Sequence, residues 1–136
     1  MAGLVLKLAP RERVLVNGAV IENGDRRSRL SILSPRANIL RLKDAIAPDE
    51  VKTPVRRVCY IAQLVLSGDV AEDEARVQLV RGIDQLAAAL IDADSQDKLI
   101  SAREAVLAGD VYRALKQLRA LLPRERMLLD GEGPVQ

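Results

Sequence analysis

A chain of 136 residues with 49% hydrophobic side chains can fill one cooperative core, or two small subdomains that share it, while its longest apolar run, residues 86–91, falls far below the ~18 residues of a membrane span. With no histidine and a single cysteine, it lacks the commonest general base near neutral pH and any Ser-His or Cys-His nucleophile pair, so no enzyme, metal site or cofactor is expected, and an internal disulfide is excluded. The net charge of +2 hides an asymmetry: residues 1–58 carry twelve Lys/Arg against six Asp/Glu, a net of +6, and residues 59–136 carry nine against thirteen, a net of −4, which points to an anionic partner for the first half.

Leu4, Leu6 and Leu8 alternate with Val5 and Lys7, the period of a strand that packs one face inward. Lys7 also interrupts a short apolar stretch that no basic segment precedes, so no secretory signal is expected and the chain is placed in the cytoplasm. Val14-Leu15-Val16 and Ala19-Val20-Ile21 flank Asn17-Gly18, a pair that tolerates positive φ and suits a type I′ hairpin turn. A second Asn-Gly, Asn23-Gly24, leads into residues 26–33, where Leu30 and Ile32 face one way and Arg29 and Ser31 the other. Ser34-Pro35 then breaks the pairing, because proline cannot donate to a ladder, and residues 38–43 offer a last short strand. The expectation is a basic antiparallel β meander over residues 1–52.

From Thr53 the period becomes 3.6: Val55, Val58, Cys59, Ala62, Val65 and Leu66 share one face. Thr53 suits the N-cap, Pro54 the first turn, and Gly68 the left-handed close. Asp69 and Glu72 have capping-box-like spacing before a long second helix that buries Leu79, Val80, Ile83, Leu86, Ala87 and Leu90. Two more helices are expected over residues 95–108 and 111–122, the last ending before Pro123 and followed by a frayed tail beyond Leu129. Residues 65–70 and 106–111 echo each other as glycine-stop, aspartate-start joints, which is the ordinary chemistry of a tight helix-helix turn. The fold class is therefore α+β, a β module followed over residues 53–136 by a bundle of about four helices.

The basic half carries Arg26, Arg27 and Arg29 beside an Asn-Gly turn, with Lys7, Arg11, Arg13, Arg41, Lys43, Lys52, Arg56 and Arg57 elsewhere in it. Arginine grips phosphate in two-point fashion and stacks on bases, so this pattern suits RNA; the competing structural reading is a charged strand edge that resists aggregation. The chain has no Phe or Trp and only Tyr60 and Tyr112, which excludes the aromatic platforms of many single-strand binders and leaves arginine planes, strand backbone and polar groups such as Asn17, Asn23 and Asn38. DNA is not expected, because the helix after the Gly68-Asp69 joint opens with Asp69, Glu72, Asp73 and Glu74, which phosphates repel. Asp92, Asp94 and Asp97 mimic the start of a calcium loop, but Asp97 stands where glycine is needed and Arg103 where the closing glutamate belongs. Cys59, on an apolar helical stripe, reads as a buried structural thiol.

The run Asn17-Gly18-Ala19-Val20, Asn23-Gly24-Asp25-Arg26-Arg27 and Thr53-Pro54-Val55-Arg56-Arg57-Val58 resembles the bacterial flagellum-biosynthesis repressor family, FlbT, over nearly the whole chain. The resemblance implies post-transcriptional control of flagellin by binding the 5′ untranslated leader of its mRNA, alongside a companion protein, FlaF. Residues 4–46 are also similar to carbon-storage-regulator RNA-binding proteins, whose strand-swapped dimers hold RNA against the first and fifth strands; that likeness implies a homodimer and points to residues 4–7 and to Arg41 or Lys43. A reading from a different class is a flagellar chaperone or adaptor whose acidic helical half binds an amphipathic segment, of flagellin for instance.

Overall fold

In the computed structural model, described for residues 4–35 and 37–131, local sequence signals set the first elements. Strand β1 (Leu4–Leu8) buries Leu6 and Leu8 and leaves Val5 and Lys7 outside, as its alternation dictates. Strands β2 (Arg13–Val16) and β3 (Ala19–Glu22) form a hairpin through Asn17 at φ 48° and Gly18 at φ 85°, the paired left-handed conformations of the expected type I′ turn. Strand β4 (Ser28–Ile32) and the short β5 (Ile39–Arg41) complete the set.

The α+β class is the expected one, but the strands do not pair in simple succession. β4 pairs antiparallel with β1, and β2 lies between β3 and β5, giving two small sheets. Asn23 supplies the reason. Its Nδ2 donates to the carbonyls of Ala9 (2.7 Å) and Arg26 (2.9 Å), and its Oδ1 accepts from Ser28 Oγ (2.7 Å). The chain leaving β3 is thereby tied to the end of β1 and delivered to that strand instead of folding back on β3.

Five α-helices follow among the described residues. α1 (Pro54–Leu66) buries the six residues of the predicted stripe. α2 (Glu72–Ala89) starts at Ala71 without a side-chain cap: Asp69 accepts instead from Ser67 Oγ at 2.6 Å, so the Asp69–Glu72 capping box does not form. α3 (Ala93–Leu107) is capped by Asp92, whose Oδ2 accepts from the Ser95 amide at 3.0 Å. The single last helix expected over 111–122 is instead two, α4 (Val111–Arg119) and α5 (Leu122–Leu129), with Pro123 in the first turn of α5. Proline cannot continue a helix but is well placed to begin one. Of the tail expected to fray beyond Leu129, Asp130 and Gly131 close α5 with amide bonds to the Arg126 and Leu128 carbonyls, and residues 132–136 lie outside the described part.

The helical core gathers Cys59, Ala62, Leu79, Ile83, Leu99 and Leu118, and the strand core Leu6, Leu8, Val14 and Ile39. Strand β5 joins them, turning Ile39 into the strand core and Leu40 into the helical one, while Tyr112 packs against both. The β half therefore meets the helices through β5 and Tyr112, which link the two apolar clusters.

Candidate nucleic-acid interface

The β1–β4 register places Lys7 directly opposite Arg29. Both are on the exposed face, whereas their neighbours Leu6 and Leu30 turn inward. Like charges directly opposite each other destabilise a strand pair, and no carboxylate among the described residues lies within 4.0 Å of either. The contrast with β2–β3 is informative: there Arg13 stands opposite Glu22 and binds it, Nε to Oε1 at 2.8 Å, with Arg11 a further 3.5 Å contact on the same carboxylate. One strand pair neutralises its cations and the other does not.

Beside the unneutralised pair lies a cavity of about 370 Å³ whose lining includes Lys7, Arg27, Arg29 and Lys43. Beneath it runs an ion pair that holds the rim in place. Arg41 donates from Nε to Glu12 Oε2 (2.7 Å) and from Nη2 to Glu12 Oε1 (2.9 Å), and a third bond reaches the Lys7 carbonyl. Lys43 Nζ is 3.9 Å from the same carboxylate. Glu12 also accepts from the Ala9 amide at 3.0 Å. With its side chain only 4% exposed, Glu12 is held to a pKa of about 2, chiefly by the Arg41 hydrogen bond and against the opposing effect of burial. The cavity and its supports thus bring five cations to one carboxylate.

The remaining predicted residues are placed elsewhere. Arg26 is exposed on the turn before β4, its carbonyl held by Asn23. Arg56 is half-buried in the first turn of α1, and Arg57 lines a different cleft, between α1 and α2, with Val58, Ile61, Arg81 and Gly82. Asn17 Oδ1 accepts from the Asn38 amide at 2.9 Å, and Asn23 is engaged through both Nδ2 and Oδ1 in its turn, so the Asn23 side chain is not free for base edges. Glu12 was not legible as a functional residue: it sits in the turn before β2, outside any alternation, and the only hint is a carboxylate flanked by Arg11 and Arg13.

Elsewhere the polar chemistry is structural. Asp94 binds Lys98 at 2.6 Å and Asp92 caps α3, and among the described residues no group of three or more Cys, Asp or Glu is placed to hold a metal ion. Cys59 is fully buried, which pushes its thiol up to about 12 and leaves it protonated. No described helix is long and apolar enough to cross a membrane.

A family model described as Flagellar protein FlbT matches residues 4–129. The flagellum biosynthesis repressor protein FlbT of Caulobacter vibrioides is 30% identical over 122 residues, covering 90% of this chain and 86% of that protein. A probable flagellum biosynthesis repressor protein FlbT of Mesorhizobium japonicum is 32% identical over 132 residues, covering 97% and 88%, and one of Brucella anthropi is 31% identical over 130 residues, covering 96% and 84%. No solved structure matches.

Proposed function

The chain belongs to the FlbT family of flagellar proteins, and from that premise we propose that it regulates flagellum biosynthesis after transcription, by binding the 5′ untranslated leader of flagellin mRNA through the strand-borne basic cavity. The observation that carries this reading is the Lys7–Arg29 pair: two cations set face to face across a strand ladder cost stability unless an anion lies between or above them. Arg27 and Lys43 extend that surface around a concavity of about 370 Å³. A polyphosphate backbone is the anion that such spacing suits, because it delivers one negative charge per nucleotide along a path rather than at a point. On the strands, base recognition then falls to guanidinium planes and strand backbone.

The test is binding of a flagellin leader transcript at two ionic strengths. With one phosphate on each of Lys7, Arg27, Arg29 and Lys43, a single-strand slope of about −0.7 per contact gives about fiftyfold weaker binding on a fourfold salt increase. Affinity that does not change with salt excludes the reading.

A further inference from the structure

We infer that the RNA path does not end on the strands but continues onto α4, where a groove between that helix and the β half holds one unstacked base against Tyr112 while Arg113 and Lys116 take its flanking phosphates. This rests on the RNA-binding reading above and extends it to a site on the helical half.

The groove has a volume of about 500 Å³, inside the ~300–1,000 Å³ range of sites that enclose a small organic group. Its strand side is apolar, with Leu4, Ile32 and Ile39; its helix side carries Tyr112, Arg113 and Lys116. Arg113, Lys116 and Arg119 follow one another at three-residue steps along α4. Arg119 is neutralised by Asp44, Nη2 to Oδ1 at 3.2 Å, with a second bond from Nη1 to the Asp44 carbonyl at 2.9 Å. Arg113 and Lys116 are exposed and have no carboxylate within 4.0 Å among the described residues. The one carboxylate in the lining, Asp110, is occupied as the α4 cap, accepting from the Arg113 amide at 3.1 Å.

Two features connect this groove to the strand cavity. Tyr112 and Lys116 also line a narrower cleft of about 140 Å³ together with Arg41, and Arg41 in turn bonds Glu12 and the Lys7 carbonyl at the strand cavity. Arg41 thus lies between the strand cavity and the cleft lined by Tyr112 and Lys116, bonded to the first and lining the second. Tyr112 is the one aromatic side chain that touches both cores, which fixes its ring, and a fixed aromatic face beside free cations is the minimal equipment for holding a single base. An isolated inorganic anion would need the cations but not the apolar wall.

The test uses the full chain and an iodouracil-substituted oligouridylate. Arg113→Ala/Lys116→Ala, both exposed positions, should keep the melting temperature and lower the log–log salt slope of binding by about 1.4, two contacts of about 0.7 each. Light-induced crosslinking of the wild type, mapped by mass spectrometry, should place the adduct on Tyr112 and not on Tyr60, the only other aromatic residue. A slope unchanged by the double variant but lowered by Arg27→Ala/Arg29→Ala, or an adduct confined to strand residues or Tyr60, confines RNA to the strands and overturns this inference alone. A wild type that binds neither the oligouridylate nor the leader transcript overturns both proposals.

Discussion

Arg41 and Glu12 close a two-point ion pair, with Nε–Oε2 at 2.7 Å and Nη2–Oε1 at 2.9 Å, around a carboxylate that is almost wholly withdrawn from water. The pair ties β5 to the turn that begins β2 and presents the Lys7 carbonyl to the same guanidinium. It joins the stability of the β half to the shape of the basic cavity, because Glu12 is both the buried partner and part of the lining.

Acid should therefore weaken the fold through Glu12. Its pKa falls from 4.5 to about 2 on folding, so the unfolded chain binds the proton first on acidification. The stabilisation is fully present above about pH 4.5 and is lost as pH falls through about 2; a shift of that size corresponds to about 3 kcal/mol. Glu12→Gln should be less stable than the wild type at neutral pH and show a shallower loss between those limits. Denaturant titrations across the acid range check this, and wild-type and variant curves that stay parallel would contradict it.

Glu125 performs a second long-range task. Its Oε1 accepts from Thr53 Oγ1 at 2.6 Å and its Oε2 from the Val55 amide at 2.8 Å, so a buried side chain of α5 caps the start of α1. Glu125→Ala leaves a buried amide and a hydroxyl unpartnered and should cost about 2–3 kcal/mol. Glu125→Gln keeps one acceptor and should recover about half of that. Equal stability of all three proteins would show that water replaces the carboxylate at no cost.

These two glutamates mark the limit of what the residue pattern could reveal. β1, the Asn17-Gly18 hairpin and α1 were legible because each is written locally, in a period of two, a positive-φ pair, and a 3.6-residue stripe bounded by Thr53 and Gly68. Thr53 was legible as the α1 cap, and its Oγ1 does accept from the Arg56 amide, but the reinforcement by Glu125 lies 72 residues away in sequence and leaves no local trace. The same holds for the candidate site. Lys7, Arg27, Arg29 and Lys43 could each be named from composition, whereas their convergence depends on β1 choosing β4, a non-local pairing that Asn23 enforces by hydrogen bonds. The α4–α5 break was readable in principle from Pro123, which serves equally as a stop for one helix and as the first turn of the next.

Gly82 reports on the α1–α2 contact. A Cβ there would lie 2.7 Å from Val58 Cγ2, and a β-branched side chain locked in a helix has little room to move away. Gly82→Ala gains about 1 kcal/mol of helix propensity but incurs overpacking of about 1–3 kcal/mol, so a net loss is expected. Adding Val58→Ala removes the clash, and the double variant should lose less than the two single losses combined. Strict additivity in thermal melts would mean that the helices shift apart freely.

Arg41 and Arg29 should separate the structural cations from the ligand-binding ones. Removing Arg41 leaves Glu12 buried with only Lys43 at 3.9 Å, and breaking a buried pair from one side costs about 3 kcal/mol. Arg41→Ala should thus lower the melting temperature, and its effect on RNA binding will track the loss of fold. Removing Arg29 relieves its repulsion with Lys7, so Arg29→Ala should melt at or slightly above the wild-type temperature, by a few tenths of a kcal/mol in stability. Its RNA affinity should nevertheless fall, with a salt slope shallower by about 0.7. Thermal melts and salt-dependent binding on the two variants read both quantities. A drop in melting temperature for Arg29→Ala as large as that for Arg41→Ala would mean that the Lys7–Arg29 ladder already has its counter-charge within the protein, and the reason for expecting a polyanion on that face would be gone.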